Sequence, residues 1–408
     1  MAWVNWSRRT IAERTAAGHL GVELNASRAR GALGRLGQHR VLPLDGDHAD
    51  MPLHISLEPR SAEVGRAGTA LIRRLPHLCC TGYLPQLGQP FEWKGGRHRL
   101  RANEALSHAF ARLRESLGEG SRVFLGLPSY LTHTQVTLLR VIADRQRFEI
   151  AGTASTALAI AADRAGAVLT HRADENETRA EGTVPLKRPG PLPTDALIID
   201  ADDAAMTGSL IRIGPRQVTL LASSVWPRCG VKFWMDRLVD HLSDRCVRVC
   251  RRDPRDSAEA EQSLYEQIDA ALDPLRTGQH ATLSVRAAHW YQDITVQAED
   301  LDAACLGLIR ASVGSVLELQ HTAAAMEPPR AVWLTHEAGR LPGLAKAIYQ
   351  HMAERTSVGV LRPEAPSIAL ANLAERWSGA DHLDSTIALA GRGSPSELPA
   401  GVTRTSGS

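Results

Sequence analysis

Lysine is nearly absent from this chain of 408 residues. It occurs only at positions 94, 187, 232 and 346, and arginine supplies the other permanent positive charges. The formal net charge is only +2. The global charge therefore gives no reason to expect a nucleic acid or an anionic membrane as a partner.

Cysteine patterns and long apolar runs are also lacking. The six cysteines form no Cys-x-x-Cys pair, and Cys246 and Cys250 have no second pair with which to complete a zinc site. No stretch approaches the roughly 18 apolar residues of a membrane helix, and residues 1–20 contain no signal-peptide core. We therefore expect reduced thiols, a cytoplasmic location and no membrane span.

The pattern along the chain predicts two α/β lobes, because each half opens on a strand–turn–strand and later carries a strand–loop–helix. The two openings are residues 18–34 and 197–213, and the prolines of residues 187–195 mark a boundary near residue 190. The further predicted strands are 51–60, 123–127, a short one near 150, 282–287, 293–298 and one in 328–352. The predicted helices are 63–75, one ending at Gly118, 134–146, one from about Ser155, 233–246, 257–275, 301–320 and one in 328–352.

Four segments carry a resemblance to a known family. They are VFLGLPSYLTHTQ (123–135), TASTALAIA (153–161), WMDRLVDHL (234–242) and AGRLPGLAKAI (338–348). In this order and at these separations they resemble segments of the nucleotide-binding domain of DnaK-type, seventy-kilodalton heat-shock chaperones. The resemblance implies the actin-like ATPase fold, with two duplicated α/β lobes around a cleft. It places an N-terminal extension at 1–18, lobe I at 19–190 with an inserted subdomain at about 56–118, lobe II at 191–390 with one at about 226–304, and a disordered tail at 391–408.

In that family, two glycine-rich hairpins present backbone N–H groups to the phosphates of ATP. An aspartate in each hairpin organises Mg²⁺ and its waters, and a lysine supplies a point charge. By resemblance, the first hairpin here has Glu23 in place of the aspartate, Asn25 in place of a glycine, and Ser27 with its hydroxyl retained. Asn tolerates left-handed backbone dihedrals, so the turn can form, but its side chain takes up space that a phosphate would use.

The second hairpin corresponds to residues 200–207. Asp200 matches the family aspartate, but the three glycines that follow have been replaced, two of them by Asp202 and Asp203. Each carboxylate near a triphosphate would repel it by about 1 kcal/mol or more. The pattern therefore argues against the family's way of holding ATP.

The remaining motifs of the family are retained only in part. The lysine is expected near Leu84, but no lysine precedes Lys94, and the catalytic-side glutamate corresponds to Gly152. The adenine-contacting helix retains Glu266 without its basic residues, and the adenosine loop, residues 336–340, retains Arg340 without its paired glycines. The candidate nucleotide-binding residues are Glu23, Asn25, Ser27, Asp200, Asp202, Asp203, Gly230, Glu266, Gly339 and Arg340.

Three alternative interpretations concern single features. The Asp200-Ala-Asp202 spacing is similar to the D-x-D of haloacid-dehalogenase-type phosphatases, but the lysine and aspartate pair that would follow are not evident. The other interpretation of Asp202 and Asp203 is a solvated polar turn. Glu23 and Asp200 bind a cation across the cleft or stabilise neighbouring turns. Residues 289–291, His-Trp-Tyr, form a surface patch or alternate between core and solvent.

The sequence therefore predicts an Hsp70-like protein that keeps the scaffold and has no catalytic residues, with a binding or regulatory role toward an unknown protein partner. The chain continues only briefly after the last matching helix, so we expect no client-binding domain. The alternative is a divergent protein that still switches conformation with ATP or ADP and Mg²⁺. Any activity would be weak ATP hydrolysis.

Overall fold

The computed structural model describes residues 18–35, 38–58, 60–165, 195–322, 328–374, 377 and 379–389. It is a mixed α/β protein built around two six-stranded sheets, which confirms the predicted α/β class. The predictions for residues 1–17, for the boundary near residue 190 and for the tail from 391 lie outside the described residues. None of the described helices combines the length and the apolar character that a membrane crossing requires.

The first sheet is centred on an antiparallel hairpin, which we call the first hairpin, formed by His19–Leu24 and Arg28–Arg35. Two strands that arrive later in the chain, Arg122–Leu127 and Glu149–Ser155, extend the sheet in parallel on one side. The strands Gln38–Leu42 and Asp50–Pro52 pair with the other hairpin strand. Every residue of His19–Leu24 after His19 is buried, as expected for a central strand covered on both faces.

The second sheet repeats this arrangement. Its second hairpin consists of Asp195–Ala201 and Met206–Ile213, and Ala331–Leu334 and Ser357–Val360 again add in parallel on one side. Gln217–Trp226 continues the sheet on the other side and pairs in turn with the edge strand Thr386–Ala388. The repeat places the turns of both hairpins and the carboxyl ends of the parallel strands at one edge of each sheet.

Smaller sheets and helices surround the two central sheets. The small sheets are Ile55–Ser56 with Glu63–Val64 and Cys79–Cys80, Glu92–Gly95 with His98–Arg101, and Ala281–Ala287 with Trp290–Val296. The helices are Arg66–Thr69, Ala102–Leu117, His133–Arg145, 156–165, Val231–Cys250, Ala258–Arg276, Ala298–Ala304, Leu306–Thr322, His336–Arg340, Leu344–His351 and Ala365–Ala374, with 3-10 turns at Pro76–Leu78, Leu84–Gln86, Pro227–Cys229 and Pro254–Asp256.

The helix Ala365–Ala374 joins the two halves of the molecule. It lies against the first hairpin so closely that a Cβ at Gly21 would stand 2.2 Å from the backbone N of Ala371. The same helix and helix 156–165 contribute to one apolar cluster with Ile198 and Ile211 of the second sheet. This shared core holds the two hairpins in a fixed relation, because neither can move without disturbing packed side chains.

Most predicted elements are confirmed, and four are wrong in detail. The predicted strand 51–60 is replaced by two short strands in different sheets, since Asp50–Pro52 pairs with the first hairpin and Ile55–Ser56 with Cys79–Cys80. Only Arg66–Thr69 of the predicted helix 63–75 is an α-helix. The predicted helix 301–320 is two helices that meet at Cys305, and the loop after Ala331–Leu334 contains the short helix His336–Arg340.

Candidate functional site

The turns of the two hairpins touch each other directly. Ala26 N–H in the first turn donates to Asp202 Oδ2 in the second at 2.9 Å. In the opposite sense, Asp203 N–H donates to Ser27 Oγ at 2.8 Å. We call this contact, formed by residues 25–28 and 202–205, the hairpin junction. It brings together the sequence-predicted residues Asn25, Ser27, Asp202 and Asp203.

The Asp202 carboxylate is the centre of the hairpin junction. Its Oδ1 accepts hydrogen bonds from the N–H groups of Ala204 and Ala205 at 2.9 and 3.0 Å. Its Oδ2 accepts the Ala26 N–H and also the Tyr130 hydroxyl at 2.5 Å. Burial raises the pKa of Asp202, while the hydrogen bonds from Tyr130 and the backbone oppose that shift. Four donors from three chain segments therefore converge on one buried carboxyl group.

Asn25 shapes the first turn through its side chain. Asn25 Oδ1 accepts the N–H groups of Ser27 and Arg28 at 3.0 and 2.9 Å, and its own N–H donates to the Arg28 carbonyl. Its φ is not positive, so the expected left-handed conformation is not what makes Asn suitable here. The asparagine side chain instead closes the turn by local hydrogen bonding. Two N–H groups of the turn therefore donate to a side chain of the same turn.

Glu23 and Asp200 are buried acids, one on each hairpin, below the turns. Asp200 Oδ1 accepts hydrogen bonds from the Thr335 hydroxyl at 2.7 Å and from Ala201 N–H at 2.9 Å. Glu23 Oε1 accepts from Asn25 Nδ2 at 3.4 Å, whereas its Oε2 has no hydrogen-bond partner among the described residues. Burial, followed by the neighbouring Glu23 carboxyl, raises the pKa of Asp200 to about 7, and burial also raises the pKa of Glu23.

A second link between the halves is the ion pair between Arg28 and Glu337, whose side chains are both nearly buried. Burial by itself would raise the pKa of Glu337, but the Arg28 guanidinium and the contacts with His336 and Arg340 hold it well below its usual range. Glu337 thus stays ionised in the interior because cations surround it.

Arg340 belongs to the same charged network, which continues onto helix Ala258–Arg276. Its guanidinium lies 2.9 Å from Asp269 Oδ1 and 3.5 Å from Glu337 Oε2. His336 Nε2 lies 2.8 Å from Asp273 Oδ1. Burial would lower the pKa of His336, but its hydrogen bonds to Asp273 and Glu337 outweigh that effect and raise it. Residues 336–340, which the resemblance identified as an adenosine loop, are therefore occupied by paired side chains.

Gly230 lets a helix approach the second turn. A Cβ at this position would lie 2.9 Å from the backbone N of Ala205 and the backbone O of Asp203. Helix Val231–Cys250 begins immediately after it, and Val231 N–H donates to the Asp202 carbonyl at 2.8 Å. The glycine thus positions the junction through close backbone packing.

Three other candidate residues have different surroundings. Asp203 lies 3.3 Å from His54 Nε2 at the margin of the junction. Glu266 is exposed, and its carboxylate accepts from Gln262 on its own helix at 2.7 Å, whereas Arg340 contacts Asp269 and Asp273. Gly339 is buried, and a Cβ there would meet Val360 Cγ1 at 2.2 Å, so it serves close packing.

Sequence reasoning missed the side chains that complete the site, chiefly Tyr130 and Thr335. Both follow strands that add in parallel to a hairpin, Arg122–Leu127 and Ala331–Leu334. The carboxyl ends of such strands are where side chains of an open α/β sheet converge. That positional signal was available in the sequence and would have selected both residues.

No cluster of three or more His, Cys, Asp or Glu side chains that could hold a metal ion occurs within the described ranges. Glu23 and Asp200 nevertheless remain an acidic pair, one from each half of the chain. Compared with known proteins, the chain matches no protein-family model. No curated protein matches it as a relative.

Proposed function

We propose that this chain is a non-catalytic, Hsp70-like protein of the actin-like ATPase fold, whose two lobes close on each other without nucleotide and serve a binding or regulatory role. Support for the fold comes from the order of strands in the two sheets. In each sheet, two parallel strands follow one another on the same side of a central hairpin. Lobes at 19–190 and 191–390, each with an inserted subdomain, accord with that repeat.

The observation that carries the proposal is the environment of Asp202. In the proposed fold, the turn N–H groups of both hairpins face a bound phosphate. Here Ala26, Ala204 and Ala205 donate those hydrogen bonds to the Asp202 carboxylate. A side chain of the protein therefore provides the anion that the turns require, and a phosphate would have to displace it and approach buried acids.

The residues at the proposed nucleoside position support the same conclusion. Arg340, the one retained residue of the adenosine loop, is held by Asp269 and Glu337 and is nearly buried. His336 and Glu337 stand where the family has glycines, and their side chains are engaged with Asp273 and Arg28. Nucleoside binding would require several ion pairs to break at once, each buried one at a cost of several kcal/mol.

Thermal melting with MgATP or MgADP tests the proposal, because a ligand that binds only the folded state raises the melting temperature by mass action. We expect no rise at about millimolar nucleotide, and no phosphate release from ATP above the level of the Asp200→Ala variant. A rise that disappears in Asp200→Ala would instead establish the divergent nucleotide-switching protein. The melting temperature of the Asp202→Gly variant with nucleotide should be compared with that of the unaltered chain, since this change removes the internal carboxylate and places a glycine in the turn.

A further inference from the structure

A cavity of about 1100 Å³ borders the hairpin junction. Tyr130, Asp203, Ala204 and Ala205 of the two halves form part of its wall, and His54 lies beside them. Its size slightly exceeds the ~300–1,000 Å³ that is usual for small-molecule sites. The cavity lies between the segments proposed as inserted subdomains, so it is a natural position for a ligand that joins the two halves.

The charge of the lining favours a cation. Four carboxylates face the cavity, those of Asp203, Asp236, Asp240 and Glu261, against two permanent cations, Arg73 and Lys232, and the imidazole of His54. Asp240 and Asp203 also have partners, Arg255 at 3.2 Å and His54 at 3.3 Å. An added anion would meet the excess of negative charge, whereas an added cation would reduce it.

The remaining lining also suits an organic cation. Trp93, Tyr130 and Tyr265 contribute aromatic rings, and the face of an aromatic ring attracts a guanidinium or ammonium group. Phe91 packs edge-on against Trp93 with ring centroids 4.6 Å apart, and it is largely exposed. Aromatic faces beside carboxylates are the combination that recognises arginine or lysine side chains.

One such group already occupies the cavity from within the chain. The Arg73 guanidinium pairs with Asp236, lies 3.5 Å from Glu261 Oε1 and stands 5.2 Å from the centroid of the Tyr265 ring. Its Nε is buried and has no hydrogen-bond partner among the described residues. Arg73 therefore shows that the carboxylates and the Tyr265 ring can hold a guanidinium here, although its own Nε–H lacks a hydrogen-bond partner among the described residues.

The backbone that carries Arg73 is held in place by the helix Ala258–Arg276, which also carries Glu261 and Tyr265. Gln262 Oε1 accepts the N–H groups of Arg73 and Arg74 at 2.7 and 3.3 Å, and Gln262 Nε2 donates to the Thr69 carbonyl at 2.9 Å. The guanidinium is thus presented to the carboxylates by a fixed segment of backbone.

We propose that this cavity binds a basic peptide segment of a partner protein, whose arginine or lysine side chain takes the place of Arg73 between Asp236, Glu261 and Tyr265. The proposal rests on the binding role proposed above and names the chemistry of the partner. It does not depend on whether a nucleotide binds, so the two can fail separately.

Calorimetric titration of the intact chain with acetyl-triarginine-amide tests the proposal, with the tricitrulline peptide as the control of equal shape and no charge. We expect binding of the arginine peptide alone, weakened by added salt. The paired change Asp236→Asn with Glu261→Gln should reduce the affinity about three- to tenfold. Asp244→Asn, on the same helix and outside the cavity lining, should leave it unchanged.

The Arg73→Met variant keeps the apolar stem and removes the competing charge, so it should bind the arginine peptide more tightly than the unaltered chain. Equal binding of the citrulline peptide would overturn the proposal. So would an affinity that is insensitive to the paired change at Asp236 and Glu261. An absence of heat with the arginine peptide in both the unaltered chain and Arg73→Met would overturn it as well, whatever the nucleotide titrations give.

Discussion

The carboxylate of Asp202 accepts a hydrogen bond at 2.9 Å from the backbone N–H of Ala26, which lies 176 residues earlier in the chain. This bond joins the turns of two hairpins that belong to different sheets. Since the acceptor is also bonded by Tyr130 and by the N–H groups of its own turn, the contact is one part of a connected polar network. Such a network is stabilising when every member is paired and costly when one is lost.

Replacement of Asp202 by alanine should lower the free energy of unfolding by about 2–4 kcal/mol, because the buried N–H groups of Ala26 and Ala205 and the half-buried N–H of Ala204 lose their acceptor. Urea titration measures the change. Asp203→Ala is the matched control. It removes only a contact of 3.3 Å with His54 and keeps the backbone bond to Ser27, so its loss should stay below about 1 kcal/mol. Equal losses in the two variants would contradict the central role of Asp202.

Asp200→Asn should change how stability depends on pH. A carboxyl group whose pKa rises on folding stabilises the protein fully below its unfolded pKa, and this contribution is lost as the pH rises through the folded pKa, here about 7. Asparagine cannot ionise, and its Oδ1 can still accept from Thr335. The variant should therefore gain at least about 1 kcal/mol relative to the unaltered chain between pH 4 and pH 8.

Urea titrations of both proteins across that pH range measure the difference. The pKa of Glu337 is held low, so Glu337 contributes the opposite trend, but it does so in both proteins and largely cancels. A difference in unfolding free energy that is constant from pH 4 to pH 8 would show that Asp200 does not titrate as stated.

Arg28→Met should destabilise the protein by about 2–4 kcal/mol, because the Glu337 carboxylate stays buried and loses the cation that faces it. Introduction of Glu337→Gln into that variant should recover about 1 kcal/mol or more, since the uncompensated charge is removed. A double-mutant cycle by urea unfolding measures the coupling. Strict additivity of the two single changes would mean that the ion pair does not hold the halves together.

Gly230→Ala should cost about 1–3 kcal/mol, because its Cβ would press on the backbone of Asp203 and Ala205, which cannot move aside. Gly314→Ala is the control inside helix Leu306–Thr322, where a Cβ would meet nothing within 4 Å. That change should stabilise the protein by up to about 1 kcal/mol through helix propensity. Melting temperatures of the two variants should therefore shift in opposite directions.

Local patterns were sufficient for most of the secondary structure. Helix Ala102–Leu117 buries residues that are three and four positions apart, as its apolar periodicity predicted. It ends at Gly118, as predicted, and the φ of 92° at that position suits glycine. Residues 51–60 were predicted as one strand from their local sequence. They divide between two sheets, since the partner strands that decide pairing come from distant parts of the chain.

The candidate site was partly predictable from short segments of the sequence. Resemblance selected Glu23, Asn25, Ser27, Asp200, Asp202 and Asp203, and all of them lie at or just below the hairpin junction. The role of Asp202 was not predicted, because its carboxylate was considered as a repulsive charge, as part of a phosphatase-type motif or as a solvated turn residue, and not as a buried hydrogen-bond acceptor. Its acceptance of four hydrogen bonds depends on backbone groups and on Tyr130, whose proximity no local pattern expresses.

The sequence by itself determined the α/β class, the two hairpins and the absence of glycine from both turns, since these depend on residues close together in the chain. Only the tertiary structure decided that the carboxylate of Asp202 bonds to the opposite turn, and that Arg28 meets Glu337. The physical reason is that a buried charge is tolerated only when donors or counter-charges surround it, and packing alone brings those groups together.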